Sequence, residues 1–172
     1  MKGPAVLETT FHSPLGPLLI RATERGINQV AFTTHGETES HITNTSSQAK
    51  HHLDTAQVQL EEYFSGQRFE FTVTLDPDCL NAASFRGRTQ LMLASIPYGT
   101  TWSYGQLAHA AGNQKASRAA GTSCATNPVP LLLPCHRVVR GNGALGNYLG
   151  GTAKKQWLLD FEHGNLRRRN RV

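Results

Sequence analysis

At 172 residues, with 38% hydrophobic and 17% charged side chains, the chain is long enough to bury a core, and its composition excludes an intrinsically disordered protein. Its three cysteines, Cys79, Cys124 and Cys135, are odd in number and form no CxxC pair, which argues against a disulfide framework and gives no zinc-ligand spacing. The formal charge of +5 permits a nucleic-acid partner without proving one; residues 1–15 lack a signal-peptide core and no apolar run approaches about 18 residues, so a reducing intracellular setting with no membrane is expected.

In chain order, residues 6–10, 18–22 and 27–32 read as short strands, punctuated by Ser13-Pro14-Leu15-Gly16 and Glu24-Arg25-Gly26. Residues 35–50 are polar and rich in Thr and Ser, the composition of a loop. A helix is predicted over 54–65, with Leu53, Gln57, Leu60 and Phe64 on one face and Gly66 as its stop. Phe69, Phe71, Val73 and Leu75 alternate with polar residues, the period of a half-buried strand. Asp76-Pro77-Asp78 then breaks the chain. A boundary is expected there, dividing an N-terminal domain (1–80) from a C-terminal one (81–165) and a basic tail (166–172).

Beyond that boundary the pattern is mainly helical. Residues 84–95 carry Phe85, Met92 and Leu93 at helical spacing, and the helix stops before Pro97-Tyr98-Gly99. Ser103 caps a predicted helix running to Ala111, Gly112 breaks it, and 115–124 form another, the pattern of a helix-turn-helix. Residues 129–133 and 137–140 are strand-like pieces around Cys135. Residues 153–162 close as a helix containing Trp157, Leu158 and Phe161. Arg167, Arg168, Arg169 and Arg171 read as a disordered, solvated tail rather than a defined site. The fold class is therefore α/β (α+β): a small N-terminal sheet domain with a helix, then a mainly helical domain.

The chemistry centres on Pro134-Cys135-His136-Arg137-Val138-Val139, where a thiol stands beside groups able to take its proton or stabilise its charge. Two readings of Ala116-Ser117-Arg118-Ala119-Ala120-Gly121 stand side by side: small residues packing tightly on a second helix, or a helix pressed into a nucleic-acid groove with Arg118 projecting as a wedge. Glu162 lies one turn beyond Leu158 and Leu159, so it is either an exposed helix-end carboxylate or a buried partner that fixes the His136 tautomer. Asn127, before Pro128, is a helix stop on the simplest view. Tyr104 fits a core aromatic with its hydroxyl at the rim. Tyr148 lies in a glycine-rich segment that suits either a plain turn or a loop closing over a planar ligand.

Taken together, these segments resemble the O6-alkylguanine-DNA alkyltransferases. The match runs from about Phe85 to Glu162 and includes Ile96 to Thr100, Ser103 to Ala108, Ser117 to Gly121, Asn127-Pro128-Val129-Pro130, Pro134 to Val139, Gly146 to Gly151 and Leu158 to Glu162. The N-terminal part looks like that family's smaller, ribonuclease-H-like domain, with weaker motifs. The resemblance implies that Cys135 accepts the alkyl group, that His136 takes its proton through a water, and that Glu162 orients His136 while Asn127 supports the site. It implies that Tyr104 helps rotate the nucleotide out, that Arg118 fills the space left, and that Val138, Asn147, Tyr148 and Leu149 meet the flipped base. Thr100, Ser103, Ala116, Ser117 and Gly121 would join Arg118 on double-stranded DNA in the minor groove.

The implied reaction is a single-turnover, irreversible repair of O6-alkylguanine, with O4-alkylthymine as a further substrate. No cofactor and no metal are implied. The protein is expected to be a monomer in solution, with assembly on DNA left open. It would be cytoplasmic in a bacterium or archaeon and nuclear in a eukaryote. Arg86, Thr89 and Gln90 depart from the family's usual Gln and Val-Trp, and Ser117 from a frequent Ala. Two other classes compete: a cysteine hydrolase using Cys135 and His136, and a sensor that binds alkylated DNA without transfer.

Overall fold

The computed structural model describes residues 6–34 and 46–171. It divides into two compact units between Cys79 and Leu80. Among the described residues, no helix is long and apolar enough to cross a membrane.

In the first unit, β1 (Leu7–Ser13), β2 (Gly16–Thr23) and β3 (Gly26–Phe32) form an antiparallel sheet in the order β1-β2-β3. Alternation along the central strand puts Leu18, Ile20 and Ala22 inward, fully buried. Against the sheet packs α1 (Ser47–Phe64), whose buried stripe of Ala49, Leu53, Ala56, Leu60 and Tyr63 recurs at helical spacing. Each fully buried large apolar side chain contributes about 1.5–3 kcal/mol. The helix begins seven residues before the predicted start, because Ser46 caps it by accepting from the Ala49 N–H. Of the predicted loop 35–50, residues 35–45 lie outside the described residues, and 47–50 are helix.

Residues 69–75 keep their alternating exposure but form no regular strand. Only Leu75 bridges, in parallel, to Ile27. The preceding stretch is held instead by a side chain. Gln59 of α1 accepts from the Thr72 N–H and donates to its hydroxyl, both at 2.8 Å. Gly26 allows the bridge: a Cβ there would lie 2.6 Å from the Leu75 carbonyl carbon.

The second unit starts with α2 (Phe85–Met92), extended by a 3₁₀ turn over Leu93–Ser95. A short β4 (Trp102–Ser103) leads into α3 (Tyr104–Ala110), closed by a capping box between Ser103 and Gln106. Then comes α4 (Ser117–Ala125), completing the two-helix motif. The chain passes through a loop and a 3₁₀ turn to β5 (Val138–Val139), which pairs in parallel with β4. Residues 129–133, read from sequence as strand-like, form a tight loop in which Leu131 adopts φ +74°.

Last comes α5 (Thr152–Arg169). It runs seven residues past the predicted end at Glu162 and carries Arg167, Arg168 and Arg169 as exposed helix rather than a disordered tail. Two contacts hold this extra length. Asn165 Nδ2 donates to the Tyr98 hydroxyl at 2.9 Å, and Leu166 lies where a Cβ on Gly99 would be. Cations in the last turn also suit the negative end of the helix dipole.

Candidate active site

Cys135 opens a 3₁₀ turn, Cys135–Arg137, whose three side chains are all buried. The loop delivering it contains the only described non-glycine residue with positive φ, Leu131, a conformation costing about 1–2 kcal/mol. Asn127 holds that loop. Its Nδ2 donates to the Leu133 carbonyl at 2.8 Å and its Oδ1 accepts from the Val129 N–H at 3.1 Å. The same side chain hydrogen-bonds the Cys135 thiol. Asn127 is therefore more than a helix stop: it ties the nucleophile's loop to the end of α4.

A buried charge network backs the thiol. His136 Nε2 lies 2.8 Å from Glu162 Oε1. Arg137 donates to both Glu162 oxygens at 3.0–3.2 Å, and to the Ile96 carbonyl at 2.7 Å. The Gly99 N–H donates to Glu162 Oε2 at 2.9 Å. Burial opposes the Glu162 charge, but His136 and Arg137 outweigh it and hold the carboxyl well below the usual carboxylate range. Burial pushes His136 down despite the pull of Glu162, so its ring is neutral at pH 7.

An ionised carboxylate only accepts, so His136 Nε2 carries the hydrogen and Nδ1 keeps its lone pair. Nδ1 makes no hydrogen bond to the described protein. A neutral base with its far nitrogen anchored is the arrangement that proton abstraction needs.

The thiol itself is pushed up to about 11, by burial first, with the Asn127 hydrogen bond and the Lys155 charge pulling down. Lys155 is fully buried; its ammonium donates to the Val138 and Asn147 carbonyls and stands 5.8 Å from the Tyr104 ring centroid. Cys135 faces a cavity of about 540 Å³. Of the predicted site residues, Tyr104, Arg118, Gly121, Asn147, Tyr148 and Leu149 also line it. Val138 does not; its side chain is buried and its carbonyl is engaged by Lys155.

The helix α4 packs one face inward and leaves the other exposed. Ala120, Ser123 and Cys124 are buried, while Ser117, Arg118, Ala119, Thr122 and Ala125 are exposed. Ala116 sits half-buried just before the helix, and Gly121 faces Tyr104. Thr100 and Ser103 are not brought to the cavity. Thr100 bonds the Pro97 carbonyl in an exposed turn, and Ser103 caps α3 beside a separate cavity of about 720 Å³.

Residues 84–164 match the family model described as the 6-O-methylguanine DNA methyltransferase DNA-binding domain, and 6–77 match its ribonuclease-like domain. A methylated-DNA–protein-cysteine methyltransferase of Methanosarcina acetivorans is 37% identical, over 88% of this chain and 95% of its own length. The chain belongs to the 6-O-methylguanine DNA methyltransferase family. A Homo sapiens member is likewise 37% identical, over 92% of this chain and 81% of its own. The Mycobacterium tuberculosis family member crystallised in complex with DNA superposes with a TM-score of 0.77 at 34% identity, covering 91% of this chain and 92% of its own.

Within this family fold, the departures at Thr89 and Gln90 are packing changes. Both side chains are buried, and Gln90 Nε2 donates to the Ser123 and Thr126 carbonyls at the end of α4. Arg86 is exposed. From sequence, Arg137 stood among the groups able to stabilise the thiol's charge, whereas its guanidinium binds Glu162; Lys155 and Arg140 had no role. For Lys155 a signal existed: Lys155, Leu158, Leu159, Glu162 and Asn165 recur at helical spacing and are all buried.

Proposed function

We propose that this chain repairs DNA by moving the alkyl group of O6-alkylguanine onto its own Cys135. The observation that carries this reading is a thiol on a cavity wall backed by a buried, neutral His136 anchored to an ionised Glu162. At a thiol pKa of about 11, only about one molecule in 10⁴ holds a thiolate at pH 7, so activation by a base is needed.

The thiol proton passes through a water to His136 Nδ1 while sulfur attacks the alkyl carbon. An S–C bond forms, the C–O6 bond breaks, and its electron pair leaves on guanine. Guanine takes up one proton, balancing the one the thiol lost. Tyr104 stays protonated because burial raises its pKa, so its hydroxyl can donate to the leaving base. Lys155 favours the thiolate electrostatically. The product is a thioether, with no acyl bond to hydrolyse, which supports one turnover per molecule.

The target atom lies inside the duplex, so the base enters the cavity by flipping, at a cost of a few kcal/mol. Arg118, exposed on α4 and lining the cavity, fills the vacated space. The exposed small residues of α4 suit close approach to the minor groove, whose pattern carries little sequence information. O4-alkylthymine, which also carries its alkyl group on an exocyclic oxygen, is a second substrate, and the protein is a monomer in solution.

Intact-mass spectrometry after mixing with O6-methylguanine duplex tests the transfer. One added methyl group, absent in Cys135→Ser, is expected. Unchanged mass, as for a sensor, or repeated ester cleavage, as for a hydrolase, would sink it. Arg118→Ala should slow repair in duplex DNA more than attack on free O6-benzylguanine, and equal losses on both would refute the wedge.

A further inference from the structure

The cavity in front of Cys135 carries more positive charge than a neutral base can use. Arg118 and Arg140 line it, and no Asp or Glu does. Glu162, the carboxylate behind the thiol, is already neutralised by Arg137. Arg118 has an assignment as the wedge; Arg140 has none.

Arg140 directly follows β5, and both of its backbone polar groups are pinned. Its N–H donates to the Ala144 carbonyl at 2.8 Å, and its carbonyl accepts from the Gly143 N–H at 2.9 Å. Gly143, at φ +84°, closes this turn. The base of the side chain is thus fixed while the side chain is exposed. Its guanidinium makes no ion pair or hydrogen bond among the described residues. Its charge nevertheless reaches the Tyr104 hydroxyl. Arg140 is therefore an unneutralised guanidinium carried on a fixed backbone at the edge of a cavity large enough for a base. A nucleotide entering that cavity brings a phosphate on each side, and guanidinium groups bind phosphate oxygens with paired, charge-assisted hydrogen bonds.

We propose that Arg140 binds a backbone phosphate flanking the extruded nucleotide and so positions the lesion in front of Cys135. This assignment rests on the reading that a base enters the cavity. It is distinct from the wedge role of Arg118, which matters only where a duplex leaves a gap to fill.

The test compares wild type, Arg140→Gln and Arg140→Lys on three O6-alkylguanine substrates: a duplex, a single-stranded oligonucleotide and the free base O6-benzylguanine. Arg140→Gln should slow transfer about tenfold or more on both oligonucleotides, at least fivefold beyond any loss on the free base, and Arg140→Lys should recover part of it. A methylphosphonate replacing a single phosphate beside the lesion, tried on each side in turn, should slow wild type at one position while leaving Arg140→Gln little changed. Equal losses on oligonucleotide and free base, or equal methylphosphonate effects in both proteins, would overturn the proposal. Failure of wild type to alkylate Cys135 with any substrate would instead overturn the underlying reading of the site.

Discussion

Each buried ionisable group around Cys135 has a distinct duty that can be separated by pH. With His136 neutral and able to take the thiol proton internally, transfer to free O6-benzylguanine should be nearly independent of pH from about 7 to 9. It should fall below the depressed His136 value, where the ring is protonated and cannot accept. In His136→Gln the thiol must lose its proton to solvent. The rate should then be low at pH 7 and rise about tenfold per pH unit toward the thiol value of about 11. A flat profile in that variant would remove His136 as the base. Glu162 is also structural. Its folded pKa lies below the unfolded value, so its stabilisation is full above the ordinary glutamate range and is lost progressively as pH falls from that range down to the depressed folded value. Glu162→Gln leaves the Arg137 guanidinium buried without its counter-charge, and denaturant unfolding at pH 7 should show a loss of about 3–5 kcal/mol that shrinks on acidification.

The loop between β5 and α5 shows how glycines shape the cavity at the level of an element. A Cβ on Gly146 would stand 2.7 Å from the Tyr104 hydroxyl, and the residue also has φ +70°. On Gly143, at φ +84°, a Cβ meets nothing within 4 Å. Gly143→Ala should therefore cost only the left-handed strain, about 1–2 kcal/mol in denaturant unfolding. Gly146→Ala should in addition displace Tyr104 and slow alkyl transfer about tenfold or more; equal rates in the two variants would contradict this. Elements of this kind were legible in the sequence only where local chemistry decides them. The Ser103 cap, the Gly112 break and the Leu53 and Leu60 positions of α1 each encode their own geometry. Residues 129–133 did not, because a run of Leu between prolines carries a β pattern while Asn127 bends it into a left-handed turn. The end of α5 was missed because an arginine run looks solvated, whereas Asn165 and Leu166 anchor it to the turn at Tyr98 and Gly99. In the site, the Cys135, His136 and Glu162 set was readable through motif order. The bond from Arg137 to Glu162, which helps His136 hold that carboxylate ionised, was not, since nothing local distinguishes a buried arginine from an exposed one.

Charge is distributed unevenly over the whole molecule. The Leu80–Val172 unit carries twelve Lys and Arg against two Asp and Glu, a formal +10, while the first unit carries five against ten, a formal −5. The net +5 therefore understates how basic the cavity-bearing unit is. In that unit Arg86, Arg88, Lys115, Arg118, Arg140, Arg167, Arg168, Arg169 and Arg171 are exposed, whereas Arg137 and Lys155 are buried in the site. Binding to duplex DNA should then be dominated by counterion release. If four to six of the exposed cations meet phosphates, log K should fall with log salt at a slope of about −4 to −5, a loss of roughly 10²- to 10³-fold between 50 and 200 mM. Fluorescence anisotropy on a labelled unmodified duplex measures this directly. Alkyl transfer from free O6-benzylguanine, which carries no phosphate, should be nearly flat over the same range. The contrast separates the two contributions: a slope near −1 on DNA would mean that the +10 unit does not engage the backbone through its charge, and a steep salt dependence on the free base would mean that salt acts on the Cys135 site itself.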